Sequence, residues 1–239
     1  MSLDNVTVLI LCGGEGKRLR PKFTMVPKVL VPVHGEPMLS HILRYLQGQG
    51  FGQYVLATGY LSEQIEQYIA AQHPQLQAKI SNSGVDAGML KRMVEALEFC
   101  QSTVVVVYGD TLVNLDYADL IKQHRSQQAP CTAVVGNIRN PFGVVQVVGD
   151  KIQSFVEKPV YNYYIGCFVF EKQAMQQVPS ALLGMPDGRG LVEYFQGLIQ
   201  KQALHAYQHQ GLQITFNTVS ELEDAEAALT DFYTMKESE

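Results

Sequence analysis

The stretch "VTVLILCGGEGKRLR" (residues 6–20) joins an apolar run to a loop that holds three glycines and three cations. The run predicts a buried strand. Gly13, Gly14 and Gly16 let the backbone turn sharply and approach a ligand closely, and Lys17, Arg18 and Arg20 make that ligand an anion. Several phosphate sites begin with a glycine-rich turn after a strand, and spacing separates them. A Walker A loop needs G-x-x-x-x-G-K-[ST]; Gly16-Lys17 supplies the G-K, but Leu11 stands at the first glycine and Arg18 at the Ser/Thr. A dinucleotide loop needs G-x-G-x-x-G opening a helix; Leu19 stands at its third glycine, and Pro21 follows, which cannot continue a helix interior.

Outward from the loop, apolar runs alternate with helical periodicity. Leu39, Ile42, Leu43 and Leu46 form one helix face, "YVLAT" (54–58) the next strand, and Leu61, Ile65, Tyr68 and Ile69 a second helix with Ser62 as its cap. A third helix carries Leu90, Met93, Val94 and Leu97. It feeds "TVVVVY" (103–108), apolar on both faces as a central parallel strand must be. Asp116 is placed to cap a helix carrying Leu120 and Ile121. From residue 130 the runs "CTAVV", "FGVVQVV", "KIQSFVE" and "YIGCFVF" are closely spaced and predict added antiparallel strands. Two helices close the chain, one with Leu191, Tyr194, Phe195 and Leu198. The other opens on a capping box, Ser220-x-x-Glu223, and carries Leu222, Ala225, Leu229 and Phe232. The fold class is therefore α/β, with helices on both faces of a mostly parallel sheet. With no Pro/Gly/Ser-rich linker and no internal repeat, residues 6–239 read as one domain after a short leader, 1–5. No C-terminal β-helix domain is expected.

Composition narrows the partners. The chain has 239 residues, 46% of them hydrophobic, and a net charge of −5. That balance argues against nucleic acid as a partner. The apolar runs are too short to span a membrane, and the N-terminus has no secretory pattern, so a cytoplasmic location is expected. Cys12, Cys100, Cys131 and Cys167 are far apart and read as isolated buried thiols. His205 and His209 have i, i+4 spacing, but their segment reads as strand or loop and offers no further ligand.

After Arg18 come Leu19, Pro21 and then "PKVLVP" (27–32), which puts Lys28 ten residues beyond Arg18. The combination G-G-x-G-x-R-L-x-P followed by P-K-x-L-x-P resembles the signature of the sugar-1-phosphate nucleotidylyltransferases. Further motifs follow in that family's order: "YGD" (108–110), "FG" (142–143), "EKP" (157–159), a strand with Gly166, and "FNTVSELEDAE" (216–226). Within the family, "YGD…NLD" and "GMLKR" (88–92) look most like the glucose-1-phosphate cytidylyltransferases.

The resemblance implies a Rossmann-like three-layer (GT-A-like) fold and Mg²⁺-dependent transfer of a nucleotidyl group from a nucleoside triphosphate to a sugar-1-phosphate. Leu11, Gly13, Gly14, Gly16, Arg18, Asp86, Gly88 and Gly109 are the implied nucleotide-binding residues. Arg18, Lys28 and Asp110 are the implied catalytic ones, with Arg18 on the β- and γ-phosphates and Lys28 on the α-phosphate. The metal ligands are Asp110 and Asn217. Gly143, Glu157, Lys158 and Gly166 belong to the sugar-phosphate site. Lys17 and Arg20 read as solvated. The chemistry alone needs cations, backbone N–H groups and a metal, because such transfer is mostly positioning and charge neutralisation. The chain departs from the family at Asn217, often Asp; at Tyr164-Ile165-Gly166, often Asn-x-Gly; and at "GVDAGMLKR", where Asp86 would suit cytosine or guanine. Sugar and base stay open, as does a homo-oligomeric state. Two alternatives remain: a non-catalytic nucleotide-sugar-binding homologue, and a cytidylyltransferase for a non-sugar alcohol phosphate.

Overall fold

A computed structural model describes residues 3, 5–19 and 22–234. Arg20 and Pro21, and Met1, Ser2 and Asp4 of the leader stretch, lie outside the described residues. The first half of the chain contains β1 (Val6–Leu11), β2 (Pro32–Val33), β3 (Glu36–Pro37), α1 (Met38–Gly48), β4 (Gln53–Thr58), α2 (Ser62–Gln72), β5 (Ala78–Asn82), α3 (Met89–Ala96), β6 (Thr103–Tyr108), β7 (Thr111–Val113) and α4 (Tyr117–Ser126). The second contains β8 (Cys131–Arg139), β9 (Val144–Val148), β10 (Lys151–Val156), β11 (Val160–Glu171), α5 (Lys172–Gln176), α6 (Ser180–Leu183), α7 (Arg189–Gln200), β12 (Leu204–Gln208), β13 (Gln213–Thr215) and α8 (Val219–Thr234).

Seven strands form the main sheet in the order β12-β8-β11-β6-β1-β4-β5. Its ladders are parallel except where β11 pairs antiparallel with β6 and β8. The period of two in a strand explains why "TVVVVY" has no polar face. Val104 and Val106 join the core under α3 and α7, while Val105 and Val107 join the core under α1, α2, α4 and α8. All four valines are at most 4% exposed, and each contributes about 1.5–3 kcal/mol on burial. Leu3, inside the stretch set aside as a leader, is also buried in the larger core.

Two caps differ from expectation. Leu61, with φ +51°, stands at the N-cap of α2, and Ser62 is its first residue. The Ser62 hydroxyl is used by Thr58 Oγ1 at 2.7 Å and by Glu66 Oε1 at 2.9 Å, so it is not free to cap. At α8 the capping starts two residues before Ser220. Glu221 N–H donates to Thr218 Oγ1, and the Glu221 carboxylate reaches back to Asn217 N–H at 2.6 Å. Asp116 does cap α4, accepting from Asp119 N–H at 2.9 Å.

The four cysteines are free and buried. Burial pushes the Cys100 and Cys167 thiols up to about 12, and it raises Cys131 further still. At Cys12 burial acts first and the nearby Asp110 charge second, both upward. Alkylation by iodoacetamide at pH 8 is expected to run roughly three orders of magnitude slower in the folded protein than after denaturation, because the thiolate is the nucleophile. Thiol counting by mass spectrometry checks this; labelling at unfolded rates in native buffer would contradict it.

Candidate active site

Strand β1 has β4 on one side and β6 on the other, although among the strands of the main sheet β4 is the next in sequence and β6 comes two strands after that. The chain thus leaves β1 in one direction and returns on its other side. In open α/β sheets such a switch point opens a crevice beyond the carboxyl ends of the strands. The glycine loop leaves β1 there, and Gly109-Asp110 leaves the parallel β6 beside it. Between them lies a cleft of about 380 Å³.

Leu11, Gly13, Gly14, Gly16, Arg18, Lys28, Asp110 and Asn217 all line this cleft. Four of them form one hydrogen-bonded cluster. Lys28 Nζ pairs with Asp110 Oδ2 and donates to Asn217 Oδ1 at 2.9 Å. Arg18 Nη2 donates to the same Asn217 oxygen at 3.0 Å, across 199 residues of sequence. Thr111 Oγ1 holds the other Asp110 oxygen at 3.0 Å. The Glu221 contact at the start of α8 fixes the backbone of Asn217. Gly16 has φ +59°, a conformation that a side chain would strain, and it packs against the Lys28 stem. Lys17 pairs with Glu15 and is 69% exposed.

Other expected residues stand elsewhere. Asp86 is exposed, and the cleft is lined by its neighbours Val85 and Ala87. Gly88 is buried, and a Cβ there would collide with the Met185 carbonyl, so its missing side chain makes room for that loop. Gly109 likewise admits the Val29 side chain, and its N–H donates to the Leu11 carbonyl. Gly166, with φ +80°, lies beneath the Tyr108 ring. Tyr164 stacks edge-on against Tyr108 and Phe195. Gly143, Glu157 and Lys158 belong to an arm built on β9 and β10, outside the cleft. Glu157 and Lys158 are an exposed pair 4.0 Å apart. His205 lies on β12, as its segment predicts, and among the described residues no cluster of three His, Cys, Asp or Glu could hold a metal.

Among the cleft residues that were not foreseen, one is a buried cation. Arg92, on α3, is 6% exposed and lines the cleft. Its guanidinium donates to the Thr58 carbonyl at 2.5 Å and the Val85 carbonyl at 3.1 Å. It presses so closely on Gly13 and Gly59 that neither could carry a Cβ without moving it. Among the described residues no carboxylate forms an ion pair with it; burial lowers its affinity for the proton, and the Glu95 charge nearby opposes that in part. A buried cation without an ion-pair partner is costly, which makes Arg92 a candidate ligand contact in this cleft.

The chain matches the family model for the nucleotidyl transferases over residues 7–211. It belongs to that family. Among similar proteins, a UTP–glucose-1-phosphate uridylyltransferase of Synechocystis is 32% identical over 72% of this chain and 50% of its own length. A mannose-1-phosphate guanylyltransferase of Mycobacterium tuberculosis is 30% identical over 75% of this chain and 52% of its own. The chain thus spans about half the length of these curated relatives. A probable glucose-1-phosphate cytidylyltransferase of Bacillus subtilis is 26% identical over 90% of this chain and 92% of its own. In fold, the nucleotidyl transferase chain is similar to the crystal structure of HddC from Yersinia pseudotuberculosis. The TM-score is 0.72 at 20% identity, covering 93% of this chain and 99% of that one.

Proposed function

We propose that this nucleotidyl transferase joins a nucleoside triphosphate and a sugar-1-phosphate to give a nucleotide sugar and pyrophosphate. The observation that carries the reading is the cluster of Arg18, Lys28, Asp110 and Asn217 at the mouth of the glycine loop. A sugar-phosphate oxygen attacks the α-phosphorus in line, the bond to the α,β-bridging oxygen breaks, and pyrophosphate leaves. The attacking oxygen is already ionised, so no general base is needed. Arg18, with a planar fork of donors, suits the leaving β- and γ-phosphates; Lys28, a point charge, suits the α-phosphate. Gly13, Gly14 and Gly16 turn backbone amides toward the same anions.

The residues also fit Mg²⁺. Asp110 and Asn217 offer hard oxygen donors, and both already face one cation, the Lys28 ammonium. When bound, Mg²⁺ supplies further charge neutralisation on the phosphates. In this reading Gly143, Glu157 and Lys158 hold the sugar phosphate, which requires the arm to close on the cleft from the position seen here.

Arg92 bears on the base. The cleft is charged at Arg18 and Lys28, and Val85, Ala87 and Met89 add apolar walls suited to a flat ring. A guanidinium only donates, so it favours two adjacent acceptors: O2 and N3 of cytosine, or O6 and N7 of guanine. Uracil and thymine place an N–H between their carbonyls. The relatives named above use different bases and do not choose among them.

The test is pyrophosphate release with Mg²⁺, crossing CTP, GTP, UTP, dTTP and ATP against hexose- and heptose-1-phosphates. A productive pair with CTP or GTP is expected, with kcat/KM at least about tenfold above UTP, and Arg92→Lys is expected to erase most of that preference. Turnover led by UTP or dTTP refutes the Arg92 reading and leaves the transferase reading standing. Triphosphate binding without turnover on any sugar favours the non-catalytic alternative, which the neutral Asn217 supports; activity gained by Asn217→Asp would then strengthen it.

A further inference from the structure

Three carboxylates line the cleft, those of Glu15, Asp110 and Asp187. Glu15 pairs with Lys17, and Asp110 is held by Lys28 and Thr111. The Asp187 carboxylate is exposed and meets neither a cation nor a hydrogen-bond donor among the described residues. An unpaired acid in a cleft whose cations gather phosphates works against that binding, unless another part of the ligand brings it donors. The loop between α6 and α7 fixes the residue in place. The Asp187 carbonyl accepts from Met89 N–H at 2.8 Å, and the Met185 carbonyl fills the space left by Gly88. Asp187 has φ +48°, in the left-handed region that few side chains besides those of Asn and Asp adopt. It thus stands level with the first residue of α3. Met89 and Arg92, three residues apart, share one face of that helix, and both line the cleft. A group that only donates and a group that only accepts therefore flank the same turn of α3.

We infer that Asp187 is a specificity-determining residue whose carboxylate accepts from the exocyclic amino group of the base, while Arg92 donates to the acceptors beside it. The inference rests on the base reading given for Arg92 and supplies its other half. Cytosine carries its N4 amino group next to N3, and guanine carries N1–H and its N2 amino group on the side of O6 away from N7. Uracil and thymine put a carbonyl oxygen where cytosine has the amino group, and a carboxylate repels it. Asp and Glu are the side chains whose geometry suits acceptance from cytosine N4. The ribose hydroxyls are the other donors of a nucleotide, but Asp187 is tied to Met89, one of the apolar walls offered to the ring.

The test reads triphosphate affinity by isothermal titration calorimetry with Mg²⁺, so it does not depend on turnover of any sugar phosphate. CTP is compared with the triphosphate of pyrimidin-2-one riboside, and GTP with ITP. Each analogue lacks only the amino group and keeps the acceptors assigned to Arg92. The wild-type chain should bind the better of CTP and GTP at least about tenfold more tightly than its analogue. Asp187→Gly removes the carboxylate and suits φ +48° without strain. It should bring parent and analogue to within about twofold of each other, with a melting temperature within about 4 °C of wild type. Equal binding of parent and analogue by the wild-type chain overturns the inference and leaves the Arg92 reading standing, since both compounds carry its acceptors. A preference that survives Asp187→Gly also overturns it. So does a loss that falls equally on CTP, GTP, UTP and ATP, which places the carboxylate on the metal or the phosphates. A variant that loses only the distinction between CTP and dCTP, or GTP and dGTP, moves the contact to the ribose. Tightest binding of UTP or dTTP overturns this inference and the Arg92 reading together.

Discussion

Replacing Asp110 with Ala should lower kcat for pyrophosphate release by about three orders of magnitude or more. The carboxylate stands at the carboxyl end of β6, with one oxygen held by Thr111 and the other by Lys28. Removing it takes away the only charged oxygen of the pair proposed for the cation. It also leaves Lys28, 12% exposed, with the neutral Asn217 in its place. The fold should survive, since Asp110 belongs to neither hydrophobic core. Asp110→Asn keeps the shape and loses the charge, so it should restore little. Single-turnover kinetics at saturating Mg²⁺, alongside a thermal melt, separates lost chemistry from lost structure. Ordinary turnover by the Ala variant would sink the metal assignment.

Lys28→Met should cost about two to three orders of magnitude in kcat, with a smaller change in KM, because the charge it meets grows as the transition state forms. Lys28→Arg should rescue poorly. The Lys28 stem passes so close to Gly16 that a Cβ placed there would stand 3.2 Å from it, and its ammonium sits 5.8 Å from the centre of the Phe216 ring. A planar fork is a poor substitute for a compact ammonium in that space. Because Lys28 and Asp110 touch, the double variant Lys28→Met/Asp110→Asn should lose less than the two single losses combined. Additive losses would mean that the two residues act independently, against the cluster described above.

Much of the architecture was legible because it follows from periods. Five consecutive bulky residues at 104–108 can only be a strand covered on both sides, and Val104 to Val107 do divide between two cores. The cluster was legible through a motif resemblance spread over 199 residues, and parallel strands bring such loops to one end of the sheet. Arg92 was not legible. In "MLKRM" it follows Lys91 and reads as one more surface cation; only the packing of α3 against β1 and β4 buries it. The caps at Ser62 and Ser220 were misplaced because a hydroxyl near a helix start has several acceptors and donors in reach. Which one it uses depends on neighbours such as Thr58, remote from the helix in register though near in sequence. The strands of the arm were legible, but their exposure was not, since an apolar run gives no sign of what covers it.

The glycines have a consequence for anyone mapping tolerance to substitution across this chain. Gly88, Gly109 and Gly166 should all score as intolerant, yet each is confined by the protein itself: a carbonyl of the 185–187 loop, the Val29 side chain and the Tyr108 ring. Gly14, which lines the cleft with nothing within 4 Å of where a Cβ would stand, should accept Ala in a screen for folded protein and fail only in a screen for activity. A difference map between an abundance screen and an activity screen would therefore erase the first three and leave Gly14 standing.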